Sequence, residues 1–122
     1  MADAPKDNLI LTLTLDFALS IIQYAEELET QRKYVVSNQL LKSGTSIGAN
    51  VREAQNAESK ADFIHKFKVA AKEADETEYW LLLCKQAPSY PDPLHLQEKL
   101  NSIKRIISKI IISSKYKGDS KN

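Results

Sequence analysis

Phe63, Phe67, Ala70, Ala74, Thr77, Leu81 and Cys84 alternate at steps of four and three. That is a seven-residue repeat, the spacing of near-parallel helices that pack knobs into holes. A helix with such a seam cannot bury it alone, so the rest of the chain must supply partner helices. Three glycines and four prolines in 122 residues leave little turn material for a sheet protein. One domain with one core suits this length. The fold expected is all-α, an antiparallel up-down-up-down four-helix bundle in a single domain.

The helices are expected at about residues 8–29, 35–57, 60–86 and 93–117. In the first, Leu11, Leu15, Ala18, Ile22, Ala25 and Leu28 form the inward stripe, widened by Phe17, Ile21 and Tyr24. Asp7 or Asn8 is its expected cap, after a tail over residues 1–6. Thr30–Tyr34 reads as a short polar connection. In the second helix the stripe is Val36, Leu40, Gly44, Ile47, Val51 and Ala54. Gly44 and Gly48 sit one turn apart among Ser43, Thr45, Ser46 and Ala49. This small surface lets another backbone approach, and the alanines of the third helix are its expected neighbour. Ser59 with Asp62 marks the start of the third helix. Asp92 followed by Pro93 marks the start of the fourth, after a loop with three prolines. Leu96, Leu100, Ile103, Ile107 and Ile110 point inward there, and Gly118 is the expected stop, with Asp119–Asn122 as a tail.

Apolar content of 43%, charged content of 27% and a net charge of +1 give no global field to recruit nucleic acid or anionic lipid. Cys84 stands alone, so no internal disulfide or cysteine cluster can form. The N-terminal stretch lacks a basic leader and is interrupted by Asp3, Asp7 and Asp16. No run is read as reaching the roughly 18 apolar residues that span a bilayer, with Ile103–Ile112 the richest candidate. The chain is read as cytoplasmic, with no membrane association.

A di-iron site in such a bundle needs Glu-x-x-His pairs facing inward. The nearest matches, Asp62 with His65 and Asp92 with His95, give no clear inward set. No glycine-flanked nucleophile accompanies the two histidines, and no Gly-Lys-Ser/Thr follows Gly48. No catalytic residue, metal, cofactor or small-molecule substrate is expected. Glu73, Glu76 and Trp80 share a face beside Lys72, where Asn50 and Glu53 of the second helix could meet them. A buried polar network fixing register is the preferred reading of that face, ahead of a solvated surface with helical ion pairs and of acid–base catalysis. Tyr79 beside Trp80 suits an interface. Lys99, Lys104, Arg105, Lys109, Lys115 and Lys117 give the fourth helix a basic outer face. That face reads as solvated, as pairing with an acidic subunit surface, or as a phosphate-binding stripe for RNA or DNA joined by Arg52 and Lys66.

The stretches Gln39–Ala54 (QLLKSGTSIGANVREA), Ala57–Lys66 (AESKADFIHK) and Lys72–Leu81 (KEADETEYWL) resemble one family closely. It is the family of bacterial four-helix-bundle proteins found as reading frames inside intervening sequences of large-subunit ribosomal RNA genes, often labelled ribosomal proteins. Lys42 stands where the family pattern has Arg. The resemblance implies a ring-shaped homopentamer whose function is not established. In that assembly Ser46, Asn50, Glu53, Lys72, Glu73, Glu76 and Trp80 would hold helices and subunits together. The fold is also similar to the accessory protein of diversity-generating retroelements, a basic pentamer that engages nucleic acid. The functional expectation is therefore a non-enzymatic homo-oligomer, with an RNA- or DNA-binding accessory as the alternative.

Overall fold

A computed structural model describes residues 6–120, with side chains over residues 9–116. Four helices make up the fold: α1 Lys6–Thr30, α2 Tyr34–Ala54, α3 Lys60–Gln86 and α4 Leu94–Ser120. No strand occurs among the described residues. Each helix packs against its sequence neighbours, and α1 also meets α4, so α1 lies diagonal to α3 and α2 diagonal to α4.

At the α1–α2 and α2–α3 seams the contacts run in opposite chain order. Gly48 approaches Thr14 and Gly44 approaches Ile21, while Ser37 Oγ donates to the Ala25 carbonyl at 2.9 Å. Across the next seam Ser43 meets Thr77 and Glu53 meets Lys66. Lys104 reaches back to Asp75 and Glu78, and Lys99 to Asp16.

Local signals explain most helix ends. Ser59 Oγ accepts from the Asp62 amide at 3.0 Å, so α3 begins where its cap places it. Asp92 Oδ1 accepts from the Leu94 amide at 3.1 Å and starts α4. The α1–α2 connection closes on a Schellman arrangement: Lys33 N–H donates to Leu28 O and Arg32 N–H to Glu29 O, both at 2.9 Å. Arg32 accordingly sits at φ 64°, in left-handed space.

Several expectations are corrected. α2 stops at Ala54, not near residue 57, because the amides of Gln55, Asn56 and Ala57 turn back to the carbonyls three residues before them. α4 runs through Gly118 to Ser120, so that glycine is no stop and residues 119–120 are not a tail. α1 already includes Lys6, Asp7 and Asn8, so neither Asp7 nor Asn8 precedes it. Residues 1–5 and 121–122, and the side chain of Lys117, lie outside the described residues.

The largest correction concerns which face of α1 is inside. Ile10, Thr14, Phe17, Ile21, Tyr24 and Leu28 are buried, whereas Leu15 and Ile22 are exposed. The core is completed by Leu40, Ile47 and Val51 of α2, Phe67, Ala70, Ala74 and Leu81 of α3, and Leu96, Leu100, Ile103 and Ile107 of α4. α1 is therefore apolar on two sides. By length and composition Leu9–Thr30 is long and apolar enough to cross a membrane, which replaces Ile103–Ile112 as the richest segment; one third of its window is buried.

Candidate interaction surface

The glycine patch of α2 faces α1, not the alanines of α3. A Cβ on Gly44 would lie 2.9 Å from Ile21 Cγ1 and 3.0 Å from its Cγ2. One on Gly48 would lie 3.2 Å from Thr14 Oγ1. These glycines let two backbones approach within the chain.

At the α2–α3 seam the buried polar contact is Ser43 with Thr77, whose hydroxyl oxygens are 2.9 Å apart. Thr77 Oγ1 also donates to the Glu73 carbonyl at 2.7 Å. Among the described residues every buried side-chain nitrogen or oxygen has a hydrogen-bond partner.

The motif residues lie outside this contact. Lys66 bridges to Glu53 at 3.0 Å across the seam, and the neighbouring carboxylate raises the Lys66 pKa. Asn50 Nδ2 donates to Ser46 O at 2.9 Å, and Ser46 Oγ donates to Lys42 O at 2.7 Å, both within α2. Trp80 Nε1 donates to Glu76 at 3.3 Å, and its ring stands edge-on to Tyr79. Lys72 is exposed and Glu73 half-buried. Within one chain these seven residues form no buried network, because the seam closes on hydroxyls one turn deeper. Lys66 takes Glu53 as its partner, not Glu73.

The cations of the proposed basic face do not act together. Lys99 pairs with Asp16 at 2.9 Å, and Lys104 with Glu78 at 2.8 Å and Asp75 at 3.1 Å. The Glu78 contact, reinforced by Asp75, raises the Lys104 pKa. Arg105 donates to Ser102 Oγ at 3.3 Å, and Lys109 lies one turn further along α4. Arg52 is on α2, diagonal to α4, and forms no ion pair among the described residues. Three of the six cations are thus held by carboxylates of other helices, which spacing along one helix could not disclose.

Two surface features went unread in the sequence. Between α3 and α4 runs a groove of about 500 Å³ over Leu81, Leu82, Leu94 and Leu100, with Tyr79 at its edge. Asp75, Glu78 and Glu98 are its charged lining. On the other side, Leu9, Leu15, Leu19 and Ile22 stand exposed along α1, Leu15 and Leu19 at 54% each. A shallower hollow between α1 and α2 is lined by Leu11, Leu15, Ala18, Gly48, Ala49 and Arg52. The surplus of leucines in α1 beyond one core stripe was the available signal.

At the end of the bundle where the two connections meet, Tyr24 Oη donates to Pro91 O at 2.6 Å and Lys33 lies 4.8 Å from the centre of the Tyr90 ring. Burial, with Cys84 beside it, pushes the Tyr24 phenol up, and burial likewise raises the Cys84 thiol.

A model of the 23S rRNA-intervening sequence protein family matches residues 6–111. The chain belongs to that family. The match spans all of α1, α2 and α3 and most of α4, including the Gln39–Ala54 motif. A crystal structure from Bacteroides thetaiotaomicron, described as a protein of unknown function from the S23 ribosomal protein family, is similar over its whole length. It shares 42% identity at a TM-score of 0.80, covering 88% of this chain and 98% of its own. No curated protein matches the chain.

Proposed function

We propose that this member of the intervening-sequence family is a non-enzymatic assembly protein: an antiparallel up-down-up-down bundle that works as a cytoplasmic homo-oligomer, a pentamer. It needs no cofactor, small-molecule substrate or membrane. The opposite chain order of contacts at the α1–α2 and α2–α3 seams supports the antiparallel reading. One observation carries the oligomer: Leu15 and Leu19 are each 54% exposed on a helix whose other face is core. A soluble monomer gains nothing from a second apolar stripe, whereas an interface uses it. Exposed Tyr79 beside half-buried Trp80 has the composition of an interface edge.

The RNA- or DNA-binding alternative draws on Arg52, Lys66, Lys99, Lys104, Arg105 and Lys109. It is the weaker reading, because Lys66, Lys99 and Lys104 already face carboxylates. Sedimentation at micromolar concentration tests the proposal. The expected mass is that of five 13.8 kDa chains; a particle of one chain mass overturns the oligomer. RNA retention that weakens steeply with salt, and is lost on Lys104→Glu/Arg105→Glu, would replace the scaffold reading with the nucleic-acid one.

A further inference from the structure

We propose that the α3–α4 connection is a releasable strap: residues 88–92 lift away as a unit while the four helices stay packed, and so gate one end of the core. The inference goes beyond the assembly reading and does not rest on it. The connections between helices are closed in different ways. That between α1 and α2 is closed by backbone bonds from Gln31, Arg32 and Lys33, and that between α2 and α3 by backbone bonds from Gln55, Asn56 and Ala57. Among the described residues, residues 88–92 make no such backbone–backbone hydrogen bond. Side chains hold them instead.

Tyr24 Oη donates to Pro91 O at 2.6 Å, Lys33 Nζ lies over the Tyr90 ring, and Lys85 bridges to Asp92 at 3.1 Å. The last pair is 42% and 65% exposed, so water competes for it. Tyr24 is buried, and its hydroxyl is the catch. Cys84 lies beside that hydroxyl, buried in the same end of the core, and Tyr90 packs against that core. Pro88, Pro91 and Pro93 each fix φ, so the segment is stiff and moves as one piece. Ser89 is held at φ 66°, left-handed space that a residue with a Cβ resists, and release relieves it. Few backbone bonds, exposed contacts and local strain are the marks of a segment that opens before the whole. The helices on either side close without the strap. Ala87 N–H donates to Leu83 O at the end of α3, and Pro93 O accepts from the amides of Leu96 and Gln97 at the start of α4.

Cys84 is the one cysteine of the chain, so it reports the opening without ambiguity. The probe is an aromatic disulfide reagent that releases a coloured thiolate, applied to the full chain across a urea series. Where the strap recloses faster than the reagent reacts, the labelling rate follows the open population. In low urea the rate is expected to be slow and nearly independent of urea, because release exposes little surface. Tyr24→Phe keeps the ring and removes the catch, so it should speed labelling about fivefold. Val51→Ala, in the core at the far end of α2, should lower the urea midpoint and leave the low-urea rate unchanged. Circular dichroism checks that the variants are helical, and Ile47→Val replaces Val51→Ala if it is not. A wild-type rate that climbs with the full urea slope of unfolding overturns the strap. So does a Val51→Ala rate that rises in proportion to the lost stability, or a Tyr24→Phe rate that does not move. A native thiol that reacts as fast as in the unfolded chain overturns it too, because the strap is then not docked. Sedimentation of the wild type as one chain removes the assembly reading and leaves these rates as the measure of the strap.

Discussion

Arg32 occupies the position after α1 that the Schellman turn requires to be left-handed, and it has a Cβ. That conformation costs a residue with a side chain about 1–2 kcal/mol. Glycine removes the strain but adds about 0.4–1 kcal/mol of unfolded-state freedom. Arg32→Gly is therefore expected to stabilise the protein by roughly 0.5–1 kcal/mol, read as a higher urea midpoint at fixed protein concentration. A lower midpoint would mean that the Arg32 side chain contributes more than its backbone costs. The sequence hid this strain: Thr30–Tyr34 is legible as a polar link, but which of its residues turns left-handed depends on where the last α1 hydrogen bonds fall. Glu53, Lys66 and Lys104 were similarly half-legible. The two lysines followed from charge as surface cations, Glu53 was expected in a buried network and is exposed, and the partners of all three lie on other helices.

Helix α1 shows where pattern reading fails at the scale of an element. Its true inward row contains Thr14, whose hydroxyl is satisfied by the Ile10 carbonyl at 2.8 Å. The competing row, Leu11, Leu15, Ala18 and Ile22, is free of such polar interruption, so periodicity alone favours it. α2 and α3 were legible because charged residues mark their outer sides, and α4 because its lysines do. The glycine patch was legible as a close approach but not as an approach to α1. It makes a prediction about that seam. Gly44→Ala gains about 1 kcal/mol of helix propensity. It also forces a methyl to 2.9 Å from fully buried Ile21, a β-branched side chain with little room to turn. Overpacking of this kind costs about 1–3 kcal/mol, so a net loss near 1 kcal/mol is expected. Gly48→Ala, where the nearest atom is 3.2 Å away, should cost less. In an Ile21→Ala background Gly44→Ala should instead stabilise, since the clash is gone and the propensity gain remains. Thermal melts of the wild type and these four variants check the sign, and a Gly44→Ala that raises the midpoint alone would show that the seam yields.

For the molecule as a whole, the end where α1, α3 and the α3–α4 loop meet links folding to pH. Burial raises the pKa of both Cys84 and Tyr24, the latter while its hydroxyl holds the Pro91 carbonyl. The unfolded chain releases these protons near their ordinary values of 9.0 and 10.0, whereas the folded chain keeps them. Above the lower value the unfolded state therefore binds fewer protons, and stability falls as pH rises. The Lys104 ammonium acts in the same direction, because its carboxylate partners raise its pKa in the folded state. Stability should be level up to about pH 9 and then decline, by at most about 1.4 kcal/mol per pH unit for each group that differs by a full proton. Cys84→Ala should flatten the first part of the decline, because alanine has no proton to lose, at the cost of a lower plateau from the lost packing. Lys104→Met should leave that first part in place, since the ammonium titrates later. Urea midpoints taken at half-unit steps from about pH 7 to 10.5 separate these cases. A wild-type profile that stays flat across that range would mean that water reaches the Cys84 thiol and the Tyr24 phenol, and that the loop carrying Pro91 does not seal this end of the bundle.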